Sequence, residues 1–149
     1  MNDYIEVIKK SIELSNALKE GIDYIKEIIV FREYGELDSL LDGLVDSVAY
    51  LEKALKPVFL EIKDNYHEEK IKDFQNSLNI LKDTLDNGDM DDAISFIEDN
   101  LFVKYEIWKK HLDSKLKNIL IVNFKINIKI LINVKVIWIT YDKKKYVYI

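Results

Sequence analysis

Apolar residues recur along most of this chain at alternating intervals of three and four, the spacing of one face of an α-helix. The pattern predicts four amphipathic helices, over residues 2–33, 36–63, 68–86 and 89–117. It is most regular in the second helix, at Leu37, Leu41, Leu44, Val48, Leu51, Leu55, Val58 and Ile62. Such a seam packs against neighbouring helices, and each side chain contributes about 1.5–3 kcal/mol when it is fully buried.

Pro57 lies inside this second helix. A proline removes one backbone hydrogen bond and costs about 3 kcal/mol in a helix interior. Because the apolar spacing continues on both sides of Pro57, we predict a kink in a continuous helix. A break near Lys56 is the alternative.

Two similar turns divide the pattern. Gly35-Glu36-Leu37-Asp38 and Gly88-Asp89-Met90-Asp91 stand 53 residues apart, and the same offset aligns apolar residues of the second and fourth helices. We expect Gly35 to end the first helix as a glycine C-cap. The chain is therefore predicted to be all-α, with residues 1–118 forming an up-down four-helix bundle of two related hairpins.

The last part of the chain, residues 119–149, has a different pattern. From Phe124 to Trp138 the residues alternate with a period of two, which indicates a β-strand. This tail is predicted to be β-like or disordered, as a β-hairpin returning over residues 146–149 or as a strand swapped with another chain. Our hypothesis for its origin is a non-native extension, translated from a shifted reading frame or not under selection, and a helix extension is an alternative. A swapped strand would make the protein self-associate through its tail.

Composition narrows the class of protein. A chain of 149 residues, 48% of them hydrophobic, is long enough for one domain with a substantial core. It has only four glycines and one proline, which favours long helices, and it has no cysteine. The absence of cysteine excludes disulfides, thiolate nucleophiles and cysteine-ligated metals. No secretory signal is recognisable at the start, so we expect a cytoplasmic protein.

Charge is distributed unevenly along the chain. Residues 119–149 contain six lysines and one acid, whereas residues 1–118 carry 16 basic and 26 acidic side chains, a net charge of −10. An acidic body argues against nucleic-acid binding, which needs clustered basic residues. Lys125, Lys129 and Lys135 interrupt the apolar tail, so no membrane span is predicted.

Candidate chemistry is sparse. Asp64 and His67 lie in the polar connection between the hairpins, which we expect to be solvated. A di-metal site in a bundle needs two Glu-x-x-His pairs, and the position that would match the glutamate before His111 is Trp108. The acids that begin at Asp86 do not follow the calcium-loop pattern either. We therefore predict no catalytic, cofactor-binding or metal site, and a protein that is not an enzyme.

Four apolar residues of the fourth helix form the candidate partner-binding face: Phe96, Phe102, Val103 and Ile107. They lie beside the main apolar stripe of that helix and widen it. An amphipathic helix of a partner could dock on such a face.

Two resemblances bear on this interpretation. Residues 88–101 resemble the second helix of a tetratricopeptide repeat, but Leu81 stands where the first helix needs a small residue, and the repeat offset is 53. We interpret that likeness as coincidental. Residues 1–118, with the aromatic-rich helix around Trp108, resemble small acidic helical proteins of Gram-positive bacteria that have no assigned activity. This second resemblance implies a helical fold.

These observations predict a non-enzymatic helical interaction or scaffolding module with an unknown protein partner. The alternative is a chaperone-like protein that binds an amphipathic helix of an exported or flagellar protein. An exposed apolar groove beside the fourth helix would favour that alternative.

Overall fold

A computed structural model describes the backbone of residues 4–147 and the side chains of residues 4–135. This part of the chain forms five α-helices, α1 (Ile5–Phe31), α2 (Leu37–Glu61), α3 (Tyr66–Asp86), α4 (Met90–Phe96) and α5 (Phe102–Val147). A π-helical segment, Ile97–Leu101, joins α4 to α5 with helical dihedral angles at both junctions, so the three form one long helix. No strand occurs among the described residues, and the all-α prediction is confirmed. The predicted start at residue 2 lies outside them.

Pro57 does not end α2. The helix continues to Glu61, four residues beyond the proline. Only one carbonyl, that of Lys53, loses the N–H donor that it would have in an unbroken helix. The apolar residues after Pro57 remain in register, since Val58 is fully buried and Phe59 is almost so. The alternative of a break near Lys56 is therefore wrong.

Neighbouring helices pack around a common core. The contacts run from α1 to α2, from α2 to α3, from α3 to α5, and from α5 back to α1. On the α2–α3 pair, Asp42 contacts Lys82 and Glu52 contacts Gln75, so numbers that rise on one helix fall on the other. Tyr105 of α5 donates its hydroxyl hydrogen to the Ser15 carbonyl of α1 at 2.8 Å.

The core consists of the apolar stripes that the spacing indicates. All but one residue of the α2 seam are buried, and Ile62 packs against the core at its edge. The other helices contribute the remaining fully buried large side chains, among them Ile8, Leu18, Ile22, Ile25, Ile71, Phe74, Leu78, Leu81, Leu101, Trp108 and Leu112. Each helix thus covers its neighbours' apolar stripes.

The two glycine-acid turns have different conformations. The first helix ends at Phe31 and is followed by its C-cap, Arg32, which has a left-handed φ of 59°. The Glu33 N–H donates a hydrogen bond to the Ile28 carbonyl at 3.0 Å. Gly35 lies later, in a 3-10 turn over Tyr34–Glu36, so the prediction that Gly35 is the C-cap is wrong. Gly88, with φ of 78°, does occupy the left-handed position after α3. In the first turn the left-handed residue therefore lies three residues, about one helical turn, before the glycine, whereas in the second turn it is the glycine itself.

The β-like and disordered predictions for the tail are wrong for the described residues, whereas the alternative of a helix extension agrees with them. Residues 119–147 continue α5 as helix, which contradicts both the β-like and the disordered interpretations. A helix satisfies its own backbone groups, whereas a strand would find no sheet among the described residues to pair with its N–H and C=O groups. Isoleucine, lysine and asparagine each cost less than about 1 kcal/mol in a helix relative to alanine, too little to reverse this. Of the predicted return strand, residues 148 and 149 lie outside the described residues.

The difference between the turns can be measured by replacing each glycine with alanine. We expect Gly88→Ala to lower the free energy of unfolding by about 1–2 kcal/mol, because an L-residue is strained at positive φ. Gly35→Ala should change it by less than about 0.5 kcal/mol, since the new methyl group meets no atom within 4 Å. Urea unfolding followed by circular dichroism gives both values. Equal losses at the two glycines would show that the turns are equivalent after all.

Candidate functional site

The candidate partner-binding face is only partly exposed. Val103 and Ile107 are 47% and 42% exposed, whereas Phe96 and Phe102 are half-buried and pack against the core. Val103 and Ile107 are four residues apart and share one side of α5. Phe102 lies about 100° from Val103 around the helix. The structure therefore brings two of the four together on the surface, and their binding role stays a prediction.

A larger apolar surface lies farther along α5. We define the C-terminal extension as residues 121–135, whose large apolar side chains are each between 40% and 64% exposed: Ile121, Val122, Phe124, Ile126, Ile128, Ile130, Leu131, Ile132 and Val134. The preceding Ile119 and Leu120 still pack against the core. The body therefore stops covering α5 at residue 120, and the extension exposes apolar groups around its circumference.

The period of the sequence explains this arrangement. Residues that alternate every two positions are about 200° apart on a helix, so they spread over all sides of it. The first part of α5 instead has the three-and-four spacing that gathers Tyr105, Trp108 and Leu112 on one buried side. None of the described helices is both long enough and apolar enough to cross a lipid bilayer.

A second group of side chains surrounds the turn between α2 and α3. Asp64 Oδ1 accepts hydrogen bonds from the N–H groups of Tyr66 and His67, at 2.9 and 3.2 Å, and so caps the start of α3. Its Oδ2 lies 2.9 Å from His111 Nε2 and 3.6 Å from Lys115 Nζ, both on α5. His111 Nε2 is buried and has no hydrogen-bond partner, so its contact with Asp64 is electrostatic. Asp64 thus connects the turn to α5.

His67 is buried beside this aspartate. Its ring is stacked on Phe59 with centroids 3.8 Å apart, and its Nε2 accepts a hydrogen bond of 3.1 Å from the indole N–H of Trp108. Because Nε2 is the acceptor, the neutral ring has its proton on Nδ1. The ring therefore links α2, α3 and α5 at one end of the body.

Burial shifts the pKa values of His67 and Asp64 in opposite directions. Burial lowers the pKa of His67 to about 4, with the neighbouring His111 acting in the same direction. Burial alone would raise the pKa of Asp64, but the N–H groups of His67 and Tyr66 and the nearby His111 outweigh it and lower that pKa. At neutral pH His67 is uncharged and Asp64 is ionised. In this form the Asp64 carboxylate accepts two backbone hydrogen bonds, and His67 Nε2 accepts one from Trp108.

The cluster offers little space for a ligand. The cleft beside it has a volume of about 40 Å³, which suits one or two water molecules, and its lining includes Glu52, Lys56, Asp64, His67 and Glu68. Among the described residues, no three histidine, cysteine or acidic side chains lie close enough to hold one metal ion. The geometry fits a structural role, in which the cluster fixes the α2–α3 turn against α5.

The expectation of a solvated connection at Asp64 and His67 is wrong. His67 is 3% exposed, and the side chain of Asp64 is 8% exposed. The sequence contained a signal for His67, because it stands four residues before Ile71 and three-and-four steps then lead on to Phe74 and Leu78. Its contact with Trp108 depends on a helix 41 residues away, which the spacing could not disclose.

Acid should destabilise the protein through His67. Between about pH 6.5 and pH 4 the unfolded chain binds a proton there that the folded protein excludes, so stability falls as the pH is lowered, by about 1.4 kcal/mol per unit. His67→Gln retains an acceptor for the Trp108 indole but does not titrate, and should show a shallower dependence. Urea unfolding of both proteins at about pH 7, 6 and 5 measures the slopes. A variant as pH-dependent as the wild type would contradict this account.

Comparison with known proteins adds one finding. A family model described as "Domain of unknown function (DUF8042)" matches residues 6–111, more than two thirds of the chain. No curated protein and no solved structure matches it. The matched region runs from α1 to His111 and so contains the described core helices and the Asp64–His67 cluster. The chain therefore belongs to the family described as domain of unknown function DUF8042.

Proposed function

We propose that this protein is a non-enzymatic helical interaction module whose binding element is the C-terminal extension. The observation that supports it is the exposure of nine large apolar side chains over residues 121–135. Soluble monomers seldom expose contiguous apolar patches larger than a few hundred Å², and larger patches are typical of binding surfaces. Docking of the extension would remove this area from water.

The helical body serves as the scaffold in this proposal. We interpret it as an up-down four-helix bundle of two related hairpins, because α2 and α4 begin at Leu37 and Met90, 53 residues apart. Buried Leu44 and Val48 correspond to buried Ile97 and Leu101 at the same offset. A packed bundle of this kind holds the start of α5 rigidly and so sets the direction of the extension.

A non-enzymatic role agrees with the chemistry of the α2–α3 turn. Asp64 and His67 both have structural partners, and the adjoining cleft of about 40 Å³ is far smaller than the pockets of roughly 300–1,000 Å³ that bind small molecules. We propose a cytoplasmic location for the same module, on the basis of its cysteine-free, acidic composition. A nucleic-acid partner does not suit the net charge of −10 in residues 1–118.

The chaperone-like alternative has one supporting observation. A groove of about 280 Å³ lies between α1 and α2, with Leu14, Ala17, Leu18, Leu40 and Leu44 in its lining. An amphipathic helix of an exported protein could place apolar residues there. The groove lies between α1 and α2, whereas the sequence suggested a groove beside the fourth helix, so this alternative would use α1 and α2.

Affinity capture with the full chain tests the proposal. Ile126→Asp with Ile130→Asp places charges on the extension, and Val30→Asp with Leu60→Asp, at positions 53% and 63% exposed, is the matched control on the body. For proteins that the wild type captures, we expect the enrichment to fall about tenfold or more with the extension variant and to be unchanged with the control. Circular dichroism verifies that both variants remain helical. Unchanged enrichment by the extension variant would contradict the proposed binding element.

A further inference from the structure

We propose that the C-terminal extension docks along the acidic body of a second copy of this chain, reciprocally, so that two copies form a dimer. The inference rests on the proposed function, since it names the partner of the same binding element. The proposed contact joins the basic extension, whose apolar side chains are exposed, to the acidic body.

Charge favours contact of an extension with a body over contact of two extensions or of two bodies. The extension contains Lys125, Lys129 and Lys135 and no acid, whereas residues 1–118 have a net charge of −10. Two extensions side by side would bring lysines together, and two bodies side by side would bring acids together. Only an extension against a body places opposite charges in contact. Like charges in contact cost several kcal/mol across an interface, so this selection is strong.

Acidic side chains are available along the whole body. They occupy exposed positions on each of its helices, including Glu13, Glu20, Asp38, Asp46, Glu69, Asp83 and Glu106. Crowding is evident at the start of α4, where the hydrogen bond with Asp89 and its charge raise the pKa of Asp92. A cationic helix lying on such a surface would reduce this repulsion.

The extension cannot reach its own body. α5 is continuous from Phe102 to Val147, and the described side chains from residue 124 to 135 are exposed. No glycine or proline occurs between residues 121 and 147 to allow a sharp bend. A body that covers the extension must therefore come from another chain.

Length supports a reciprocal arrangement. From residue 121 to Val147 the helix rises about 40 Å, and the 25 residues of α2 rise about 37 Å. The part of α5 beyond residue 120 is therefore about as long as one body. If two bodies meet at the ends from which their extensions leave, each extension lies along the other body and a closed two-fold dimer results. The apolar side chains pack against the partner's helices, and the lysines reach its acids.

Sedimentation velocity on the full chain tests the pairing. We expect a dimer at low salt, with a dissociation constant raised about tenfold by Lys125→Glu with Lys129→Glu, and raised similarly in about 0.5 M NaCl. Lys9→Glu with Lys10→Glu makes the same charge change at exposed positions of α1 and should have a smaller effect. A monomer at every concentration overturns the inference. So does a dimer that responds to neither salt nor the extension charges, because that behaviour indicates apolar pairing of two extensions.

Spin labelling distinguishes the geometries, because the chain has no cysteine and Ile128→Cys gives a single site. In the reciprocal dimer the two labels lie about 25 Å or more apart, since each is eight residues, or about 12 Å of helix, beyond Leu120 of its own chain. Labels about 10 Å apart would mean extensions paired side by side and would overturn the inference. Binding of the monomer to anionic phosphatidylserine vesicles, in place of dimerisation, would overturn it as well.

These results separate the inference from the proposed function. If the chain is monomeric and its extension still captures host proteins that the Ile126→Asp, Ile130→Asp variant loses, the dimer is refuted and the interaction role stands. If neither a dimer nor extension-dependent capture is found, both are refuted.

Discussion

The packing of α5 against α1 and α3 is the interaction on which the rest of the structure depends. Trp108 is fully buried, with its ring centroid 5.5 Å from that of Phe74 and 6.0 Å from that of Tyr105. Its indole N–H bonds His67, and Tyr105 bonds the backbone of α1. Three large rings and two long-range hydrogen bonds thus fix the position of α5, which lies between α3 and α1.

The same helix has two different environments. Its first part gathers apolar residues on one side and is covered, while the C-terminal extension distributes them around the axis and is not. Because the helix is continuous, the anchored part determines where the uncovered part points. In the proposed function, the body presents the extension at a fixed angle. The proposed interaction role and the proposed dimer both depend on this connection between a packed core and an apolar, basic helix.

The polar cluster at the α2–α3 turn shows how a small number of buried polar groups secure this arrangement. Asp64 caps α3 and contacts α5 with the same carboxylate, and His67 is stacked on α2 while it accepts from α5. An unpaired buried polar group costs about 1–3 kcal/mol, so loss of one partner would leave the others unsatisfied. The connection resembles a solvated loop in sequence and acts as a junction of three helices in the structure.

The sequence by itself determined the helices and their buried sides. The spacing of Leu37, Leu44 and Leu51 is a local property, and a period of three and four specifies a helical face whatever lies opposite it. Only the tertiary structure decided which polar groups are buried, because the contact between His67 and Trp108 joins residues 41 apart in the chain. It also placed the left-handed residue at Arg32 instead of Gly35. The tail is helical because it continues the anchored helix α5 and because no sheet among the described residues could pair with a strand. The alternation of residues contains neither condition.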